Sequence, residues 1–187
     1  MTIARSMLKP QPRFAPYVAE FLGTFALVFA GPGSVAVNAV SDGAVSGVGI
    51  GLSFGLIVMA MIFALGHISG CHINPAVTIA FAALRRITPR VAAAYVIVQL
   101  AGAVLAGLAI VAIVGDAGDA GATAPRIGGA DAALWSELIL TFFLMFVILS
   151  VATDSRAQGT FAAIAIGGYV GFAAPGWGPI AHAPMNP

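Results

Sequence analysis

The chain has 187 residues, of which 60% are hydrophobic and 8% charged, whereas soluble domains carry about 25% charged residues. This composition excludes a soluble globular protein, because the apolar residues extend along nearly the whole chain and need lipid as their solvent. The net charge of +1, without any basic run, excludes a nucleic-acid-binding role, and the single Cys71 excludes an internal disulfide framework.

The hydropathy pattern predicts an all-α membrane protein that crosses the bilayer five times. Residues 1–16 form an amino-terminal tail, and each later span is a stretch of about 20 mostly apolar residues. The predicted spans are Tyr17–Val40, Gly47–Gly66, Val91–Val114, Ala133–Ala152 and Gly159–Pro175. Between the second and third spans, the apolar run Pro75–Leu84 is too short to cross. We therefore predict a re-entrant segment there, which enters the bilayer and returns to the same side.

The basic residues predict the orientation of the spans. When the spans alternate in direction, seven of the eight basic residues lie on the side of the amino terminus: Arg5, Lys9, Arg13, Arg85, Arg86, Arg90 and Arg156. The connecting loop 115–132 then holds Arg126 on the opposite side. Because Lys and Arg favour cytoplasmic loops, we predict a cytoplasmic amino terminus, in a plasma or inner membrane, and an extracytoplasmic connecting loop.

The sequence contains an internal repeat. The pattern ExxxTFxL begins at Glu20 and again at Glu137, and the dipeptide Asn-Pro occurs at residues 74–75 and 186–187. The first repeat covers residues 17–114 and the second, incomplete, covers 133–187. Because an odd number of spans separates the two copies, they enter the membrane from opposite sides, which predicts an inverted repeat with a site between the halves.

Small residues recur at matching positions of the two repeats. Gly51 and Gly55 in one half correspond to Ala163 and Gly167 in the other. Such spacing is typical of closely packed membrane helices. We predict that these residues form a helix-packing face.

The two glutamates inside predicted spans require partners, because an isolated charge in lipid costs several kcal/mol. One interpretation of Glu20 and Glu137 is a proton relay. The other, which we favour, is a buried structural acceptor that holds the re-entrant backbone, and we assign His67 a similar buried structural role. The pair His67 and His72 lacks a nearby carboxylate, so we predict no metal site.

The segment around Asn74 has the chemistry of a helix start inside the membrane. Asn is a strong N-cap, and Pro suits the first helical turn because it has no amide hydrogen. The preceding extended backbone presents the carbonyls of Gly70, Cys71, His72 and Ile73. Two such half-helices would meet at Asn74 and Asn186, where their positive dipole ends repel cations and hydronium while neutral solutes pass. An anion site at the paired helix ends is the alternative.

The motifs HxSGxHxNPAVT from His67, MNP at the end of the chain, and the paired ExxxTF segments resemble the aquaporin, or major intrinsic protein, family. The resemblance runs from about Ala19 to Pro187. It implies a homotetramer whose protomers each have six spans, two half-helices and a pore for passive flow of water and small neutral solutes. It also implies a site made of two boxes and a narrow filter: Asn74, Pro75 and Ala76, then Asn186 and Pro187, then Phe54, Ala174 and Ala183, with the carbonyl of His182 also lining the pore.

The small residues at Ala174 and Ala183 predict a wide constriction that passes glycerol, urea or uncharged metalloid acids besides water. The resemblance implies further residues after Pro187, including the rest of the second box and a sixth span, so we interpret the sequence as a piece of a longer protein. The alternative is a truncated, non-conducting fragment, and a secondary transporter ranks third. A hydrolase with Ser69 as its nucleophile is disfavoured, because no GxSxG pattern is present. We predict no enzyme activity and no cofactor.

Overall fold

The structure is a computed structural model that describes residues 12–153 and 161–187, with only the backbone of Thr153. These ranges contain six α-helices and no β-strand: α1 Ala15–Val40, α2 Ser46–Ser69, α3 Pro75–Ala83, α4 Pro89–Val114, α5 Gly129–Thr153 and α6 Phe161–Ala181. All but α3 are long and apolar enough to cross a membrane. The predicted all-α membrane fold with five spans is therefore confirmed. Arg5, Lys9 and Arg156, used to predict the orientation, lie outside the described residues.

Three predicted boundaries are wrong. The fourth span begins before Ala133, because α5 starts at Gly129, so the connecting loop is shorter than residues 115–132. The fifth span does not end at Pro175, because α6 continues through Pro175 and Pro179 to Ala181. A proline removes one amide donor from a helix, and the ring of Pro175 fits against α2 because Gly51 has no side chain in that space. The second span continues past Gly66 to Ser69 and ends where Gly70 adopts a left-handed conformation with φ 86°, as is common at helix C-termini.

The two halves pack through the predicted small-residue face between α2 and α6. A Cβ atom on Gly55 would lie 2.6 Å from the carbonyl oxygen of Gly167, and a Cβ atom on Gly167 would lie 2.6 Å from that of Gly55. The helices approach backbone to backbone because neither position has a side chain. Ala163 is buried nearby on α6. This contact holds the inverted repeat together.

Adjacent glycines on α6 provide a matched test of this contact. We expect Gly167→Ala to destabilise the protein by about 1–3 kcal/mol, since the added methyl group forces two backbones apart. A Cβ atom added at Gly168 would have no other atom within 4 Å. We therefore expect Gly168→Ala to leave the stability unchanged or to raise it slightly. Thermal unfolding midpoints in detergent measure both, and equal midpoints for the two variants would contradict the close α2–α6 contact.

The half-helix α3 and the segment before it lie inside the bundle. The residues Cys71, Ile73 and Val77 belong to the buried core together with side chains of α1, α2, α5 and α6. Large apolar residues such as Ile113 and Phe142 are exposed on the outside of the long helices, as expected for surfaces that face lipid. The fold thus places an irregular backbone segment within protein, where its polar groups find partners.

Candidate functional site

The first Asn-Pro corner forms the predicted helix start. Asn74 has an extended backbone, and its Oδ1 accepts hydrogen bonds from the amides of Ala76 (2.8 Å) and Val77 (3.5 Å). Pro75 occupies the first turn of α3, which ends at Ala83, one residue before the predicted Leu84. The amino terminus of α3, with its partial positive charge, is therefore directed at Asn74.

The two Asn-Pro corners contact each other. The side-chain amide nitrogen of Asn74 donates to the carbonyl oxygen of Met185 at 2.7 Å. Reciprocally, the amide nitrogen of Asn186 donates to the carbonyl oxygen of Ile73 at 3.1 Å. Each asparagine thus holds the backbone that precedes the other. Each amide nitrogen carries two hydrogens, one of which makes this bond.

Glu20 anchors the first re-entrant segment. Its side chain is fully buried on α1, and its two carboxylate oxygens accept four hydrogen bonds. The donors are Ser69 Oγ (2.6 Å) and His72 N (2.9 Å) to Oε1, and Ile73 N (2.7 Å) and Gln99 Nε2 (2.8 Å) to Oε2. Two backbone amides that lipid could not satisfy are paired in this way. Glu20 is therefore arranged as a structural acceptor. The Ser69 hydroxyl donates its hydrogen to this carboxylate.

Gln99 connects this anchor to the half-helix. Its amide nitrogen also donates to Thr78 Oγ1 on α3 at 2.9 Å, and the ring of His72 lies 3.2 Å from the same hydroxyl through Nδ1. The buried polar cluster therefore joins α1, α4 and α3. Sequence reasoning missed Gln99, although a buried amide within an otherwise apolar predicted span is a signal that could have identified it.

Glu137 holds the second segment less completely. Its Oε2 accepts from the amide of Met185 at 3.0 Å, whereas its Oε1 is buried without a hydrogen-bond partner among the described residues. When Asn186 is superposed in register on Asn74, Ala181 and Pro184 replace Ser69 and His72. Alanine has no hydroxyl and proline no amide hydrogen, so the two donors that Glu20 Oε1 accepts have no equivalents here.

The predicted buried role of His67 is wrong. His67 lies on the last turn of α2 and is exposed, because the helix extends to Ser69 and turns this side chain outwards. The loop-stabilising histidine is His72, which is buried. Its ring centroid lies 4.7 Å from that of Phe81.

A cavity of about 480 Å³ lies along both corners. The predicted pore residues that line it are Phe54, Gly70, Cys71, His72, Ile73, Asn74, Pro75, His182, Asn186 and Pro187. The lining also includes Gln99 and residues 119–123 of the link between α4 and α5, which sequence reasoning did not place there. Asp119 is the charged side chain among the lining residues. The wall is otherwise neutral.

The predicted filter residues differ in their surroundings. Phe54 lines the cavity, and its ring occupies the space that a side chain on Gly31 would need. Ala174 and Ala183 are buried, with 6% and 3% of their surfaces exposed, and are not among the residues that line the cavity. Ala76 is also absent from the lining. Its backbone amide donates to Asn74 in the cap of α3. The filter assignment stays a prediction.

These features define a helical membrane protein with an inverted repeat and two Asn-Pro corners that meet inside the bundle. The family model described as Major intrinsic protein matches residues 8–187. The chain belongs to this family.

Two similar relatives are aquaporins of plants. The chain is 42% identical over 184 residues to Aquaporin NIP1-1 of Zea mays, an overlap covering 97% of this chain and 64% of that protein. It is 47% identical over 172 residues to Aquaporin NIP1-3 of Oryza sativa subsp. japonica, covering 91% of this chain and 59% of the relative. The chain thus spans less than two thirds of the length of these relatives.

A solved structure shares the fold. The X-ray structure of the aquaglyceroporin from Plasmodium falciparum has a TM-score of 0.77 and 25% sequence identity. The match covers 92% of this chain and 76% of that one. This similarity confirms the aquaporin-like inverted repeat that the sequence predicts.

Proposed function

We propose that the protein is a passive channel for water and small neutral solutes that excludes protons and ions, and that it is not an enzyme. The single observation that carries this proposal is the reciprocal pair of bonds from Asn74 to Met185 and from Asn186 to Ile73. These bonds bring two asparagine amides together beside a cavity. Membership of the family, whose relatives are named aquaporins, supports it.

The chemistry of the corners explains selection against charge. A neutral solute accepts hydrogen bonds from the asparagine amides and donates to backbone carbonyls, so it loses little on leaving water. A cation finds no free carboxylate ligand at the corners, because the carboxylate oxygens of Glu20 already accept hydrogen bonds from backbone amides. It also meets the positive end of the α3 dipole at Asn74. Water at the corners is oriented by amide donors, which opposes proton hopping.

The size of the solute is set at Phe54 together with Ala174 and Ala183 in this proposal. The small side chains of Ala174 and Ala183 favour a wide and weakly polar opening. We infer that glycerol, urea or uncharged metalloid acids pass as well as water. The fold similarity to an aquaglyceroporin supports this inference.

Flux measurements test the function. We expect proteoliposomes carrying the protein made from its complete gene to shrink in an osmotic gradient well above the rate of empty vesicles. They should also take up glycerol and urea, while a trapped pH dye reports no proton leak. Stopped-flow light scattering measures both fluxes. Shrinkage at the rate of empty vesicles would refute the channel, and water flux without glycerol or urea flux would refute the solute assignment alone.

The surfaces of the protein support a proposal for its assembly and location. We propose a homotetramer in a plasma or inner membrane with its amino terminus in the cytoplasm. The exposed apolar faces of the long helices support contacts with lipid or with other protomers. Exposed Arg85 and Arg86 follow α3, and exposed Arg90 lies in the first turn of α4, all on the side of the bundle where α1 begins, which supports the cytoplasmic orientation.

A further inference from the structure

His182 lies where the second re-entrant segment meets the connecting segment, residues 115–128, between α4 and α5. It follows the end of α6 and adopts a left-handed backbone conformation with φ 65°. The connecting segment is tied to this point by a hydrogen bond of 2.9 Å from the amide of Arg126 to the carbonyl oxygen of Ile180. Both His182 and residues 119–123 line the cavity. The two segments meet at the mouth of the cavity that lies opposite the amino terminus.

The connecting segment is held in a strained shape. Gly118, Asp119 and Ala120 are all left-handed, with φ of 58°, 52° and 51°. For residues other than glycine this conformation costs about 1 kcal/mol or more each. Gly121 packs against the backbone of Pro32 on α1, in space that any side chain would fill. Residues 117–121 of the segment are therefore held against α1, whereas residues 122–128 are exposed.

The imidazole ring of His182 beneath it is only weakly paired. Both ring nitrogens are buried and neither meets the full geometry of a hydrogen bond among the described residues, although the backbone of Ala122 on the connecting segment lies close enough to interact with the ring. A buried polar atom without a partner costs about 1–3 kcal/mol. An arrangement in which water reaches the ring would satisfy these nitrogens.

The groups around the ring oppose its protonation. Burial and the positive charge of Arg126 lower the pKa of His182 below its ordinary value of 6.5, while the backbone of Ala122 and the negative charge of Asp119 partly raise it. When the ring is exposed to water, its pKa returns towards the ordinary value. Protons therefore bind the uncovered state more strongly than the covered one, and falling pH shifts the population towards uncovering.

We propose that His182 acts as a pH-dependent latch. When its ring is neutral, the connecting segment covers the cavity. When the ring is protonated, the segment is released and solute flux increases. Every named charged or polar group that acts on the ring lies on the segment that would move. This proposal rests on the proposed channel function. It adds a control of flux by pH on the side opposite the amino terminus.

The pH dependence of flux tests the latch. In proteoliposomes of the protein made from its complete gene, water flux should rise as pH falls from 8 to 5, by up to about tenfold for each unit of pKa difference between the two states. His182→Gln should make the profile flat, whereas His67→Gln, which changes an exposed histidine of α2, should keep it. A pH profile that is flat in the wild type, or unchanged in His182→Gln, would overturn the latch. Absence of flux at every pH would instead overturn the channel and the latch together.

The neighbouring charges give a second test that does not require a stable His182 variant. Arg126→Gln removes a repulsion and raises the pKa of the covered ring towards that of the uncovered ring, so the rise in flux at low pH should become smaller, while Asp119→Asn removes an attraction, lowers that pKa and should make the rise larger. The titration midpoint of the His182 ring, followed by NMR, should move to higher pH in the first variant and to lower pH in the second. Shifts of the same sign in both variants would overturn the proposal.

Discussion

Asn74→Asp is expected to reduce water flux and to make the channel leak cations. The carboxylate retains the acceptor that caps α3 through Ala76 and Val77, so the half-helix should still begin at Pro75. It has no hydrogen to donate to the carbonyl oxygen of Met185, which is left unpaired in a buried position. Leaving this carbonyl unpaired costs about 1–3 kcal/mol, which loosens the contact between the two corners that flank the pathway. The added negative charge also cancels the repulsion that the α3 dipole exerts on cations.

Stopped-flow shrinkage and a cation-sensitive dye measure the two effects in the same proteoliposomes. Asn38→Asp is the matched control, because Asn38 also accepts from a backbone amide, that of Ser46, but does so in an exposed turn. It should keep both water flux and cation exclusion. Normal water flux with no cation leak in Asn74→Asp would contradict the role of the paired corners.

Local patterns predicted much of this fold. Hydropathy located five spans because a helix in lipid must be apolar over about 20 residues. The dipeptide at Asn74 and Pro75 located the half-helix because capping depends on neighbouring residues alone. These signals are contained in short stretches of chain, so a single sequence suffices to find them.

The errors arose where distant packing decides the outcome. Hydropathy placed a boundary at Pro175, whereas the helix continues because Gly51 on another helix leaves room for the ring. His67 was expected to be buried after a span ending at Gly66, but α2 continues to Ser69 and His67 is exposed on its last turn. The direction in which a side chain points depends on the phase of the helix, which composition does not contain.

The identity of the hydrogen-bond partners was also beyond local reasoning. The sequence predicted that Asn74 and Asn186 meet, but not that each donates to the backbone before the other. The weaker support of the second corner could have been found by superposing the repeats, since Pro184 lacks the amide hydrogen that His72 supplies. Repeat symmetry thus carries long-range information that hydropathy does not.

Glu20→Gln is expected to disrupt the first corner far more than Glu137→Gln disrupts the second. Glu20 accepts four hydrogen bonds, whereas Glu137 accepts one from Met185. A glutamine replaces one acceptor oxygen with a donor nitrogen, so at least two buried donors at position 20 lose their partner, at about 1–3 kcal/mol each. We expect a large loss of thermal stability and of water flux for Glu20→Gln. For Glu137→Gln the cost should be about one bond or less, because the amide oxygen can still accept from Met185.

The same pair of variants separates the two interpretations of these glutamates. A proton relay needs an ionisable group but not this set of acceptors, so under that interpretation Glu20→Gln would keep its unfolding temperature and its water flux. Under the structural interpretation, the unfolding temperature falls and flux falls with it, because the amides of His72 and Ile73 lose their anchor and the Asn74 corner loosens. Equal unfolding temperatures for the two variants would show that the four bonds to Glu20 do not hold the corner, whereas a much lower value for Glu20→Gln supports the difference between the two halves.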